Sequence, residues 1–234
     1  DGIRAKDIWA EQQGLPSNTV YQVFHDAKGF TWFATEEGLC RYDGNTYKKY
    51  YNNNQTSVSG SDIKQDRLGR VWYQNFDGYC YYVENDSLKS LNQNQPLNYN
   101  PTGISSKYIF VLQTQGIDVF DIENLTLVKT IKSPKGFSDL QHSLYANGLF
   151  YYIEGYDLYS IGDDLSLTLI TTLNFNTGKT QLFISSINNK VAVYTKYSEA
   201  NLIKYYVVNN GEYGLVTPAT IGINGTTSIN GKYA

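Results

Sequence analysis

Apolar and polar positions alternate in short bursts along the first fifty residues, with turn chemistry between the bursts. From 19 to 25, Val20, Gln22 and Phe24 fall on one side and Tyr21, Val23 and His25 on the other, the period-two pattern of a strand. Asp26-Ala27-Lys28-Gly29 then reads as a turn in which the carboxylate caps local N–H groups and Gly supplies a positive φ. A strand over 30–35 carries Trp32 and Ala34. Glu36-Glu37-Gly38 turns into a strand over 38–42, and Asp43-Gly44-Asn45 turns into one over 46–50. Four strands on short turns make a meander.

The same unit returns 40 residues later. Val23 maps to Ile63, Asp26 to Asp66, Gly29 to Gly69, Trp32 to Trp72, Phe33 to Tyr73, Gly38 to Gly78, Cys40 to Cys80 and Tyr42 to Tyr82. A lone meander would leave both faces of a small sheet in water, so repetition implies stacking of one sheet on the next. A period near 40 residues is that of β-propeller blades. The fold class is therefore all-β, a β-propeller of four-stranded meander blades.

Later units keep the rhythm and lose the motif. Phe110 stands where Trp72 stood and Gly116 where Gly78 stood, and Phe150–Ile153 with Gly155 and Asp157–Tyr159 forms a fourth unit. Leu182–Ile184, Asn188-Asn189, Val191–Tyr194 and Leu202–Val208 form a fifth, and Thr227–Ile229 with Lys232–Ala234 begins a sixth. The expected blades are 14–51, 54–91, 92–131, 132–172, 173–213 and a partial 214–234, with residues 1–10 as a closing outer strand. The ending inside a blade, and the start at Asp1 rather than Met, lead us to expect part of a longer ring. A six-blade ring closed by the N-terminal strand is the alternative.

Composition supports strands over helices: 22 Tyr against 10 Phe, 3 Trp and no Met, with only 18% charged residues. A net charge of −3, with Lys48-Lys49 as the only adjacent basic pair, gives no nucleic-acid footprint. No apolar run approaches the roughly 20 residues of a membrane-spanning helix.

The first unit carries Gly14-Leu15-Pro16-Ser17-Asn18, Val20, Asp26-x-x-Gly29, Trp32-x-Ala34-Thr35 and Gly38-Leu39-x-Arg41-Tyr42-Asp43-Gly44. In these positions it resembles the two-component regulator propeller repeat. In the second unit Asp66-Arg67-Leu68-Gly69-Arg70-Val71-Trp72 matches, while Tyr79-Cys80-Tyr81-Tyr82 replaces the Leu-x-Arg-Tyr end. The resemblance implies a seven-bladed ring in the extracytoplasmic sensor of a membrane histidine kinase of Bacteroidetes. It also implies further propeller blades or domains in the same polypeptide, inner-membrane anchoring and dimerisation of the full-length protein. Some members detect oligosaccharides.

Candidate chemistry is sparse. Trp32 and Trp72 could stack sugars, but a residue required once per blade reads as packing between blades. Asp26 and Asp66 read as turn caps rather than an acid–base pair, which needs a shared cleft. Cys40 and Cys80 read as small buried side chains at equivalent positions, too far apart for a disulfide. His25 and His142 are isolated, so no metal set and no cofactor is expected. Tyr21, His25, Arg41 and Arg67 combine hydrogen-bonding tips with places near strand ends, and are the candidate ligand-binding residues. The expected function is non-catalytic sensing of a small, carbohydrate-derived ligand outside the cytoplasm. An envelope interaction scaffold without a kinase is the alternative, and an enzyme is disfavoured because no convergent acid and base can be assembled.

Overall fold

The computed structural model describes residues 14–92, 102–113, 116–132, 143–173, 180–187, 190–197, 203–209, 212–216, 228–229 and 232–233. The proposed closing strand at 1–10, Trp9, His142 and the turn at Asn188-Asn189 lie outside them. No helix occurs among the described residues. The chain divides into two compact units, 1–99 and 100–234.

The first unit holds two four-stranded antiparallel sheets. Sheet one runs β1 (Val20–His25), β2 (Thr31–Thr35), β3 (Gly38–Tyr42), β4 (Tyr47–Tyr50), in that spatial order. Sheet two runs β5 (Gly60–Gln65), β6 (Val71–Asn75), β7 (Cys80–Glu84), β8 (Ser87–Ser90). These are meanders, and their strand limits follow the turn residues closely. The β1–β2 and β5–β6 turns are alike: Gly29 N donates to Asp26 O and Gly69 N to Asp66 O, at glycine φ values of 86° and 81° that a side chain would strain.

The sheets stack face to face. Trp32, Ala34, Leu39 and Tyr50 of sheet one pack against Ile63, Val71, Tyr73, Tyr81 and Leu88 of sheet two, all buried. On the other face of sheet one, Leu15, Phe33 and Cys40 form a smaller cluster. Gln22 adds a polar lock between the sheets. Its Oε1 accepts from Ile63 N at 2.7 Å and its Nε2 donates to Ile63 O at 3.2 Å, satisfying backbone groups that a bulge between Ser61 and Lys64 removes from the ladder.

Three expected equivalences fail, all in the third strands. Cys40 pairs with Phe33, whereas Cys80 pairs with Gln74; the residue opposite Tyr73 is Tyr81. Likewise Tyr42 pairs with Thr31, while Tyr82 pairs with Trp72, where Arg41 pairs with Trp32. The cause is the β6–β7 turn. Thr35 pairs directly with Gly38 across Glu36-Glu37, but Asn75 N reaches Tyr79 O, with Gly78 inside the turn at φ 89°. That turn is one residue longer, so a shift of 41 rather than 40 relates the third strands, and a one-residue slip changes the face of every side chain. Cys80 therefore stands where Leu39 does, Gly78 is a turn residue rather than the counterpart of the strand residue Gly38, and Tyr82 takes the place of Arg41. Both cysteines are buried thiols and not a disulfide, as expected. Burial pushes Cys40 up to about 12 and raises Cys80 as well.

The second unit repeats the meander three times. Its sheets are β9 (Gly103–Ile104), β10 (Tyr108–Gln113), β11 (Gly116–Asp121), β12 (Leu127–Lys132); then β13 (Ser143–Ala146), β14 (Leu149–Glu154), β15 (Asp157–Ile161), β16 (Leu167–Thr172); then β17 (Thr180–Ile187), β18 (Lys190–Tyr197), β19 (Ile203–Asn209), β20 (Glu212–Val216). A two-stranded ladder of β21 (Ser228–Ile229) and β22 (Lys232–Tyr233) follows. Phe110 stacks on Phe150 with centroids 4.9 Å apart, and Ile153 and Leu158 pack with Ile184, Val191 and Val193. Aromatic and aliphatic residues here hold neighbouring sheets together without the Trp–Asp motif.

Candidate functional site

Asp26 and Asp66 fix the two tryptophans. Asp26 Oδ1 accepts from Lys28 N and Phe30 N, both at 2.9 Å, and its Oδ2 accepts from Trp32 Nε1 at 2.7 Å. Asp66 Oδ1 accepts from Leu68 N and Arg70 N at 3.0 Å, and its Oδ2 accepts from Trp72 Nε1 at 2.8 Å. Each carboxylate thus shapes its turn and satisfies an indole N–H in the core. Trp32 is 3% and Trp72 1% exposed, so both rings are spent on the core, although part of Trp32 also lines the cleft described next.

Beside this framework, a cleft of about 370 Å³ opens between the two sheets of the first unit. It lies at the end where the β1–β2 turn and the β7–β8 turn come together. Arg41, Lys28, Phe30 and Asp26 line it from sheet one; Val71, Val83, Asn85 and Asp86 line it from sheet two. Glu84 pairs with Ser87, which leaves Asn85 and Asp86 as a two-residue hairpin turn with φ of 50° and 58°. Asn and Asp are the non-glycine residues that best tolerate this left-handed turn. The turn sets Asp86 against sheet one, where Tyr50 Oη donates to its Oδ1 at 2.5 Å, Arg41 Nη1 to the same oxygen at 3.3 Å, and Lys48 Nζ to its Oδ2. Hydrogen bonds from Lys48 and then Tyr50 hold the Asp86 carboxyl below the usual range, while burial and then the bond to Asp86 raise the Tyr50 phenol.

Arg41 lies among aromatics: its Cζ is 4.4 Å from the Phe30 centroid and 5.8 and 5.7 Å from Trp32 and Tyr50. Of its three side-chain nitrogens, only Nη1 has an acceptor among the described residues, and Nε is shielded without one.

The four candidate residues separate. Arg41 lines the cleft. His25 sits at the same end of β1, its Nδ1 3.1 Å from Thr31 Oγ1, but does not line the cleft. Arg67 is exposed in the second turn and also outside the lining. Tyr21 is at the opposite end of β1, edge-on to Phe76 at 4.9 Å. Four residues of strand put it about 13 Å from His25, so the two cannot grip one small ligand. Reading the sequence missed Lys28, Asp86, Lys48 and Tyr50. Lys48 was visible as half of the only basic pair, but nothing in the sequence joined it to Asp86. Among the described residues no group of three or more His, Cys, Asp or Glu could hold a metal ion.

Residues 14–37 match the family model described as two component regulator propeller. No curated protein matches the chain in sequence. Solved structures share its fold. The virginiamycin B lyase of Staphylococcus aureus superposes with a TM-score of 0.60 at 14% identity, over 83% of this chain and 68% of the lyase. Two extracellular domains assigned to hybrid two-component systems of B. thetaiotaomicron superpose as well. One gives a TM-score of 0.61 at 13% identity over 84% of this chain, the other 0.60 at 18% over 88%. The chain spans 27% and 31% of those two domains. The class is therefore the β-propeller. The likeness reaches a lyase and signalling ectodomains at similar identity, so it speaks for fold and leaves activity to the site.

Proposed function

We propose that this chain is part of the extracytoplasmic ligand-sensing propeller of a two-component system, recognising a small carbohydrate-derived ligand without turning it over. The observation that carries this is the repeat motif at 14–37, which matches the regulator-propeller family model and forms the first two strands of a four-stranded meander. Two features support the non-catalytic part. The Asp26 and Asp66 carboxylates, the obvious acids of the motif, have both oxygens committed to turn amides and indoles. The acid at the cleft, Asp86, is held by Lys48, Tyr50 and Arg41 and so is poorly placed to accept a substrate proton.

The test is a thermal-shift and calorimetric screen of the full-length protein against an oligosaccharide panel, with product analysis of every hit. Saturable binding of an unaltered glycan is the expected result. Turnover of a glycan defeats the non-catalytic reading, and a gene that encodes no kinase moves the assignment to an envelope interaction scaffold.

A further inference from the structure

We propose that the cleft between the first two sheets binds the carboxylate of an acidic sugar, with Arg41 and Lys28 as its recognition pair. The inference deepens the sensing reading above and rests on it for the sugar. The cleft itself supplies the charge. Its carboxylates already carry cationic or N–H partners: Asp26 receives two backbone amides and the Trp32 indole, and Asp86, although its side chain is 53% exposed, receives Arg41, Tyr50 and Lys48. Two donors at the cleft have no acceptor among the described residues: Arg41 Nη2 and the Lys28 ammonium. Cationic donors left over beside carboxylates that are already paired favour a ligand that brings an anion.

Geometry narrows the class further. Arg41 sits over Phe30 and is anchored through Nη1, so the outer end of its guanidinium, which carries Nη2, is preorganised for a carboxylate. Val71 and Val83 give an apolar wall for the C–H face of a ring, and the Asn85 amide offers a donor and an acceptor to hydroxyls. About 370 Å³ is near the lower end of ligand cavities, which run from about 300 to 1,000 Å³, and suits one sugar ring. A divalent cation is disfavoured, since Arg41 and Lys48 already occupy the carboxylate it would need.

The experiment titrates the full chain with sodium glucuronate, glucose and inorganic phosphate, followed by saturation-transfer NMR and calorimetry at two salt concentrations. Glucuronate should bind, weaken at the higher salt, and outcompete both other probes. Lys28→Gln, at an exposed side chain with no partner to lose, should reduce affinity about threefold to fivefold with unchanged melting temperature. Arg41→Lys keeps the charge but loses the fork and should cost about tenfold. Glucose binding as tightly as glucuronate, phosphate binding more tightly, or indifference of glucuronate to both substitutions overturns the site. A neutral oligosaccharide that binds the protein regardless of both substitutions overturns this site and leaves sensing intact. Glucuronate binding by a protein with no kinase keeps the site and removes the sensing reading.

Discussion

Replacing Asp66 with alanine should cost more than the same change at Asp26, although the two aspartates hold equivalent turns. Both substitutions remove the side-chain acceptor of two backbone N–H groups and of an indole N–H. The difference is Arg70. Its Nε donates to Asp66 Oδ2 at 2.6 Å, and the two side chains are 6% and 0% exposed. Asp66→Ala removes the short ion pair of that buried guanidinium, at about 3–5 kcal/mol for one partner of a buried pair. At Asp26 the position of Arg70 is taken by Phe30, and the loss is an unsatisfied buried donor, about 1–3 kcal/mol. The gap of about 2 kcal/mol corresponds to about 4–8 °C in melting temperature for a chain of this size. Urea titration at pH 7, followed by tryptophan fluorescence, measures it. Adding Arg70→Met to Asp66→Ala should recover a substantial part of the loss, because the buried charge that lost its aspartate goes with it. If Asp26→Ala proves as damaging as Asp66→Ala, or the second substitution recovers nothing, the ion pair is not what separates the two turns.

The folded-state carboxyls of Asp43, Asp86 and Asp164 all lie below the ordinary 3.8, so their stabilising contribution is present above that value and is lost as pH falls through the depressed ones. Urea midpoints should therefore decline below about pH 4, and Asp86→Asn should flatten the decline; an unchanged slope refutes the assignment. Native protein should leave both thiols unreacted with a disulfide reagent and expose both in urea, since burial raises Cys40 and Cys80; fast labelling of the native chain contradicts their burial. Gly60→Ala should unfold the first unit, because a Cβ there meets Gln74 O, with Tyr73 Oη at 2.6 Å and Asn75 Cα at 2.7 Å. Gly29→Ala, with nothing within 4 Å, should cost only about 1 kcal/mol for its positive φ; equal midpoints for the two variants would contradict this.

The first sheet was legible because its turns announce themselves. Asp26 and Gly29 close one hairpin and Asp43 caps Asn45 and Thr46 at the next, so strand limits fall within a residue of the reading. The second sheet misled through its most persuasive coincidence. Identical Cys and Tyr residues 40 apart look like register, yet register is counted in ladder rungs, and the extra residue before Tyr79 takes one rung out of step. The candidate site suffered from distance. Arg41 was recognisable alone, but Asp86 reaches it only through a left-handed turn in the next repeat, and no local pattern records which side chains meet across stacked sheets.

The register slip also explains why the first blade, and not the second, has donors to spare. In the second blade an arginine precedes the tryptophan by two residues, folds back onto the turn carboxylate, and lies 5.5 Å from the Trp72 ring and 5.6 Å from Tyr82. Tyr82 occupies the third-strand place opposite that tryptophan, tilted against it with ring centroids 5.0 Å apart. In the first blade the two chemistries are exchanged: the aromatic, Phe30, comes from the turn, and the cation, Arg41, comes from the third strand. Both arrangements set a guanidinium among aromatic rings beside a tryptophan. Only in the second is the guanidinium tied at short range to the aspartate of its own turn, where it completes a structural pair in the core. Arg41 must look to the next blade for Asp86, at 3.3 Å and through Nη1 alone, and its side chain stays 22% exposed at a cleft. The exchange of Phe and Arg between turn and strand therefore separates a cation that stabilises the fold from one left able to recognise an anion.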